Sequence, residues 1–315
     1  MDEDVRLDNN EVTVVERSVQ EYLDSFLQSG DNVKTFDRVF CCETSSSLYC
    51  SKCCNLLVPD DSLPSCLHNN SLNLPFNLDI ILDDRRASAT GLHAVALLNN
   101  INNSTIDQSS NSVQLIDVAN NDEIPRYSNQ NDTYLLFPSP GESIPLESVS
   151  SKVKTLVVLD CKWTKSSICR KNNDLSLLQK VHLSNPPKQS FYWRWHNEGP
   201  GMISTIEAIY YAAFEVLQKK NSTISQSTVT TNDQLEYTNN LLHLLWLFGH
   251  QRAAILRSAQ DKGKPPPFTK EGKEAQREMR RQKGTWRQLR HKDDERRLIE
   301  KKKKLQDRAK NHPIT

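Results

Sequence analysis

The run TLVVL at residues 155–159 constrains the fold more than any other stretch of this chain. Five apolar or β-branched residues without polar alternation suit a strand covered on both faces, and such strands belong to parallel sheets flanked by helices. The run ends in Asp160, and in open α/β sheets ligands sit beyond the carboxyl ends of the strands. Residues 79–82, 93–98, 113–118, 133–137 and 179–183 are shorter strand candidates, with the start of a helix as the alternative at 93–98.

Helical spacing punctuates these segments. Residues 11–28 place Val14, Val15, Val19, Tyr22, Leu23 and Phe26 on one face. A second helix opens at Ser204, where Glu207 three residues on completes a capping box. The serine oxygen is expected to accept from the N3 amide while the glutamate reaches back to the N-cap amide. Ile206, Ile209, Tyr210, Ala213, Phe214 and Leu217 then continue at helical spacing. Asp233 and Glu236 cap a third, strongly apolar helix expected to run to about Leu256. Strands alternating with helices give an α/β sheet. Residues 99–112 read as a polar insertion and 221–232 as a polar linker.

Apolar residues make up 37%, below the usual globular share, so part of the chain is expected to stay unpacked. The formal charge of +1 hides an asymmetry: residues 270–310 hold 17 Lys or Arg against 8 Asp or Glu. A surplus of that kind suits a solvated arm, contacts to an anionic polymer, or nuclear import through Lys301, Lys302, Lys303 and Lys304. The first ten residues are acidic and polar, and the longest apolar run, 241–248, is too short for a bilayer. The expectation is a soluble intracellular protein of the nucleus or cytoplasm, with no membrane partner. Its eight cysteines should then be reduced or bound to metal.

Six of those cysteines, Cys41, Cys42, Cys50, Cys53, Cys54 and Cys66, fall within 26 residues. Cys50-Ser51-Lys52-Cys53 has the spacing with which two thiolates grip a tetrahedral zinc. Cys42 or Cys41, with Cys54 or Cys66, completes a structural set; the plainer alternative is a small subdomain of ordinary thiols.

Beyond Asp160 stands Trp163, and residues 190–196 read SFYWRWH, an aromatic run around Arg194 and His196. Aromatic faces stack on bases, and an arginine grips a carboxylate or phosphate bidentately. A Gly199-Pro200-Gly201 turn leads from this run to Ser204, whose helix start is itself an anion site. The structural alternative has Asp160 capping a turn and Trp163 packed in the core. His93 and His196 are assigned no chemistry.

Taken in order, these motifs resemble the DTW-domain family of tRNA-uridine aminocarboxypropyltransferases. The signature Asp-x-Thr-Trp stands as Asp160-Cys161-Lys162-Trp163, with lysine for threonine. Ser-Thr-x-Glu-Ala is intact at Ser204, Thr205, Glu207 and Ala208, and Phe-Pro-x-Pro at Phe137, Pro138 and Pro140. Phe191 to Arg194, Thr90 to Ala94 and the Cys42, Cys50, Cys53 spacing match further elements, with Cys41 in place of a cysteine usual at position 39. The likeness spans residues 37–247. It implies a SPOUT-like, knotted α/β fold that binds S-adenosylmethionine and moves its 3-amino-3-carboxypropyl group to N3 of a tRNA D-loop uridine. Asp160 is then the general base. Pro138, Trp163, Arg194, Ser204, Thr205 and Glu207 border the cofactor, Glu207 chiefly through its capping role, and Cys41, Cys42, Cys50 and Cys53 hold zinc. The matching division is an N-terminal helical extension (1–36), a zinc-binding subdomain (37–70), a catalytic domain (71–258) and a basic tail (259–315). A methyltransferase on the same fold, or a non-catalytic RNA-binding protein, are the alternative readings.

Overall fold

The computed structural model of the chain describes residues 9–28, 36–68, 72–102, 111–127, 131–162, 168–188, 190–193, 202–224 and 231–266, with 269, 271–272, 274–275, 277–279 and 281–282 beyond them. Its first elements are α1 (Asn9–Gln28), the hairpin strands β1 (Val39–Cys41) and β2 (Thr44–Ser46), and α2 (Ser65–His68). β3 (Asn77–Asp83), α3 (Gly91–Asn102), β4 (Val113–Asp117), β5 (Thr133–Leu136), β6 (Ser143–Pro145) and β7 (Thr155–Cys161) follow. The chain continues through α4 (Ile168–Lys171), α5 (Asn173–Leu177), β8 (Gln179–His182), α6 (Thr205–Ile224), α7 (Thr231–Leu242) and α8 (Trp246–Gln260).

Six strands form one sheet in the order β4-β3-β7-β5-β8-β6, and every pairing in it is parallel. The TLVVL run is the body of β7, where Leu156, Val157 and Val158 are at most 1% exposed. That is the burial an unalternating apolar strand requires. One face of the sheet packs Ile81, Ile116, Leu135 and Val157 against Tyr127, Cys169, Leu175 and Leu178. Each such Leu or Val contributes about 1.5–3 kcal/mol on burial. Strand alternation turns Ile80, Leu156, Val158 and Asp160 to the other face, where the starts of α3 and α6 meet them.

The connections locate a crevice. From β3 the chain crosses through α3 to β4 on one side, and from β7 it returns to β8 on the other. The carboxyl ends of β3 and β7, where Leu82 pairs with Asp160, therefore flank the point at which the strand order reverses. Ligands of open α/β sheets bind at such a switch point.

The ambiguous segment 93–98 is helical, and residues 91–98 are buried throughout, as in a crossover helix between sheet and outer helices. The expected single helix from Asp233 to Leu256 is interrupted. α7 gives way to a tight turn at His243–Leu245 before α8 begins. Leu244, Leu245, Trp246, Leu247 and Phe248, at and after the break, are all buried.

Two compact units partition the chain, residues 1–192 with 198–254 and residues 193–197 with 255–315. The cysteine-rich segment belongs to the first. Within the second, Thr269 Oγ1 accepts from the Gly272 amide at 3.0 Å. Among the described residues no helix is long and apolar enough to cross a membrane.

Candidate functional site

Asp160 sits at the switch point with 7% of its surface exposed. Its Oδ2 accepts from the Gly91 amide, the first of α3, at 2.6 Å, and the Thr205 hydroxyl at the start of α6 also donates to it. Two helix N-termini thus converge on one carboxylate, the end at which a helix favours negative charge. Glycine at position 91 is a packing requirement: a Cβ there would lie 2.7 Å from Asp160 Oδ2 and 3.0 Å from Ile80 Cγ2. Burial raises the Asp160 carboxyl most, Gly91 and Thr205 lower it, and nearby Asp84 raises it again, leaving it pushed up to about 6. A carboxyl in that range is ionised at neutral pH yet basic enough to take a proton.

Ser204 is the N-cap of α6, its carbonyl accepting from the Ala208 amide at 2.9 Å. Glu207 reaches back to the Ser204 amide at 2.8 Å, as a capping box demands. The reciprocal bond differs from the expectation: Ser204 Oγ donates to Glu207 Oε2 at 2.6 Å instead of accepting from the N3 amide. Four donors in all converge on the two Glu207 oxygens, so the carboxyl and not the serine hydroxyl is the acceptor at this cap. Glu207 also receives Ser190 Oγ and the Phe191 amide, both at 2.7 Å. It therefore ties the aromatic loop to the helix start. The Ile206 amide donates to Thr90 Oγ1 at 3.4 Å, so protein groups occupy much of this helix terminus.

The cysteines converge as Cys41, Cys42, Cys50 and Cys53, whose sulfurs all lie within 4.8 Å of one another. Cys41 is 3.8 Å from Cys42 and 3.7 Å from Cys53, sulfur to sulfur. A tetrahedron with metal–sulfur bonds of about 2.3 Å has edges of about 3.8 Å, so the four thiols fit a metal. The β1–β2 turn carries Cys42 at φ 48° and Glu43 at φ 63°, a left-handed pair that ordinarily selects glycine or asparagine. Against burial, the amides of Cys53 and Lys52 and the neighbouring thiols pull the Cys50 thiol down to about 6. Cys54 and Cys66, the other candidates, lie outside the cluster; Cys54 takes a bond from Arg86 Nη2 at 3.6 Å.

Arg86, which the sequence did not single out, joins this cluster to the sheet. Its guanidinium bonds the carbonyls of Ser51 at 2.6 Å and Lys52 at 2.8 Å, and Asp117 at the end of β4 at 2.5 Å. Gly91 and Thr90 were likewise missed as partners of Asp160 and α6, because their contacts are 69 and 116 residues apart in the chain. His93, left without chemistry, is buried edge-on against Tyr49 with its Nε2 at 2.9 Å from Gln251. Pro138 is exposed just past β5, and Lys162 is exposed past β7. Trp163, Arg194 and His196 lie outside the described residues.

The structure thus brings together Asp160, Thr205, Ser204 and Glu207 at one sheet edge and assembles four of the cysteines beside it. No curated protein and no solved structure matches the chain. A family model for the DTW domain matches residues 47–252, well over half of the 315 residues and all of the Asp160 site. The chain belongs to the DTW-domain family, which is associated with tRNA-modifying enzymes.

Proposed function

We propose that this protein is a tRNA-uridine aminocarboxypropyltransferase, with a SPOUT-like, knotted form of its parallel sheet. The observation that carries the reading is Asp160. The aspartate of the family signature is also the buried carboxylate at the switch point, held between two helix starts with its pKa near 6. S-adenosylmethionine, when bound, supplies the 3-amino-3-carboxypropyl group and leaves as methylthioadenosine. Asp160 takes the N3 proton of the uridine, so that the nitrogen carries a lone pair when it forms the new bond to carbon. Gly91 and Thr205 fix the orientation of that carboxylate, and Glu207 holds the aromatic loop that stacks on the base. Trp163, Arg194 and Pro138 complete the pocket in this reading. The four cysteines hold a structural zinc. The protein acts in the nucleus or cytoplasm.

Incubation with S-adenosylmethionine and unmodified tRNA tests it. Methylthioadenosine release with the added mass on a D-loop uridine supports the proposal. S-adenosylhomocysteine would make the enzyme a methyltransferase, and absence of cofactor binding would leave a non-catalytic RNA-binding protein. Asp160→Asn should reduce turnover by roughly 10²–10⁴-fold, the usual range for a positioned base, with cofactor binding retained. Near-normal turnover at neutral pH removes the base role.

A further inference from the structure

Three glutamates from three positions hold the backbone of the loop that leaves β8. Glu215 of α6 accepts from the Ser184 amide at 3.0 Å and the Asn185 amide at 2.9 Å. Glu207, two turns earlier on α6, accepts from the Phe191 amide at 2.7 Å. Between them, Glu16 of α1 accepts from the amide of Lys188. Pro186 and Pro187 have no amide to offer, so Lys188 is the first donor after Asn185. The two α6 carboxylates belong to the family-matched segment. Glu16 does not: it stands 172 residues from its partner and ahead of residue 47.

α1 is seated independently of that bond. Val19 and Leu23 are fully buried, and Phe26 fills the space over Gly249, where a Cβ would lie 2.6 Å from its ring. Tyr22 Oη pairs with His243 Nδ1 at 3.0 Å. Arg252 adds a second link to the same loop: its Nη1 bonds Asp24 of α1 at 3.2 Å, and its guanidinium lies 6.0 Å from the Phe191 ring centre. The helix therefore meets the loop directly at Lys188 and, through Arg252 of α8, indirectly at Phe191.

We infer that α1 is part of the binding machinery, with Glu16 a positioning residue that sets the loop after β8 for its ligand. The loop leaves the carboxyl edge of the sheet, where ligands bind, and carries the aromatic run. A loop fixed before binding loses less conformational freedom when the ligand arrives. The identity of that ligand as S-adenosylmethionine rests on the proposed function; the pinning of the loop does not.

Glu16→Ala and Glu16→Gln in the full chain test this by two measurements. In Glu16→Ala, hydrogen exchange at residues 188–192 should quicken by about three- to tenfold, the scale of one ordinary hydrogen bond. KM for S-adenosylmethionine should rise by a similar factor while kcat changes less than about twofold, and Glu16→Gln, which keeps an acceptor oxygen, should recover most of both. Unchanged exchange and KM in Glu16→Ala overturn the inference. Faster exchange spread through α1 and α8 also overturns it, because the helix would then have lifted off as a whole. If the unaltered chain binds no S-adenosylmethionine, the enzyme reading falls, and the local exchange rates alone decide the role of Glu16.

Discussion

Burial and hydrogen bonding pull the Asp160 carboxyl in opposite directions, and burial prevails: its pKa lies at about 6 against an ordinary 3.8. Ionising it therefore works against the fold. Its contribution to stability is full below about pH 4 and is lost as pH rises to 6. His93 behaves oppositely. Burial lowers its imidazole to about 4 from an ordinary 6.5, so its contribution is full above the ordinary value and lost as pH falls toward 4. The two nearly offset in the intact protein, so the comparison of variants isolates one of them. Relative to Asp160→Asn, the unaltered chain should lose up to about 3 kcal/mol between pH 4 and 6, as roughly two pKa units require. Urea midpoints at a series of pH values measure this, and a flat difference would place the carboxyl in a far more solvated site. Gly91→Ala acts on the same group from the other side. The new methyl would press on Asp160 Oδ2 and Ile80, both fixed by the sheet, and overpacking of this kind lowers stability by about 1–3 kcal/mol. An unchanged denaturation midpoint would show that α3 can withdraw from Asp160 without penalty.

Among the elements, the β1–β2 hairpin and the Cys50–Cys53 turn make the clearest case for metal-dependent structure. Left-handed backbone at Cys42, Glu43 and Cys54 is costly for side chains of this kind, by about 1–2 kcal/mol each. An ion bound by the four thiols would offset that strain. The purified chain should carry about one zinc, and Cys50→Ser with Cys53→Ser should release it and lower the melting temperature, because metal binding is coupled to folding. Metal-free protein with an unchanged melting temperature would return the cysteines to ordinary thiols. The elements together show what sequence can and cannot tell. β7 was legible because an unalternating apolar run has few other places to go, and α6 because a cap precedes its periodic face. Cysteine spacing located the cluster but not its members, since adjacent pairs such as Cys53 and Cys54 diverge only once Cys54 takes its left-handed φ of 61°. Arg86 left no local signal at all, and Thr90 and Gly91 stood out as a motif without revealing their partners. Their roles depend on strands and turns that come together only through the sheet register. The break between α7 and α8 was illegible because no proline or glycine marks the turn at His243–Leu245.

For the whole molecule, charge divides between the basic segment and the rest of the chain, and in the proposed reading that separates the chemistry from a hold on RNA. The nine-charge surplus of residues 270–310 leaves the remainder of the chain at −8, so the part bearing the sheet repels a phosphate backbone on average. If the protein acts on tRNA as proposed, affinity would then come largely from the basic segment, while Asp160 and its partners would act on the one base that reaches them. Deleting residues 265–315 should accordingly weaken tRNA binding and flatten its salt dependence, by roughly one unit of slope for each phosphate contact removed. S-adenosylmethionine affinity should stay within about twofold, since none of Asp160, Thr205, Ser204 or Glu207 is touched. Filter binding across a salt series measures the first effect and calorimetry the second. If affinity and slope are both unchanged, the basic segment is an address or a solvated arm and local positive patches must hold the RNA. If cofactor affinity collapses as well, the segment supports the pocket itself, and the separation of binding from chemistry fails.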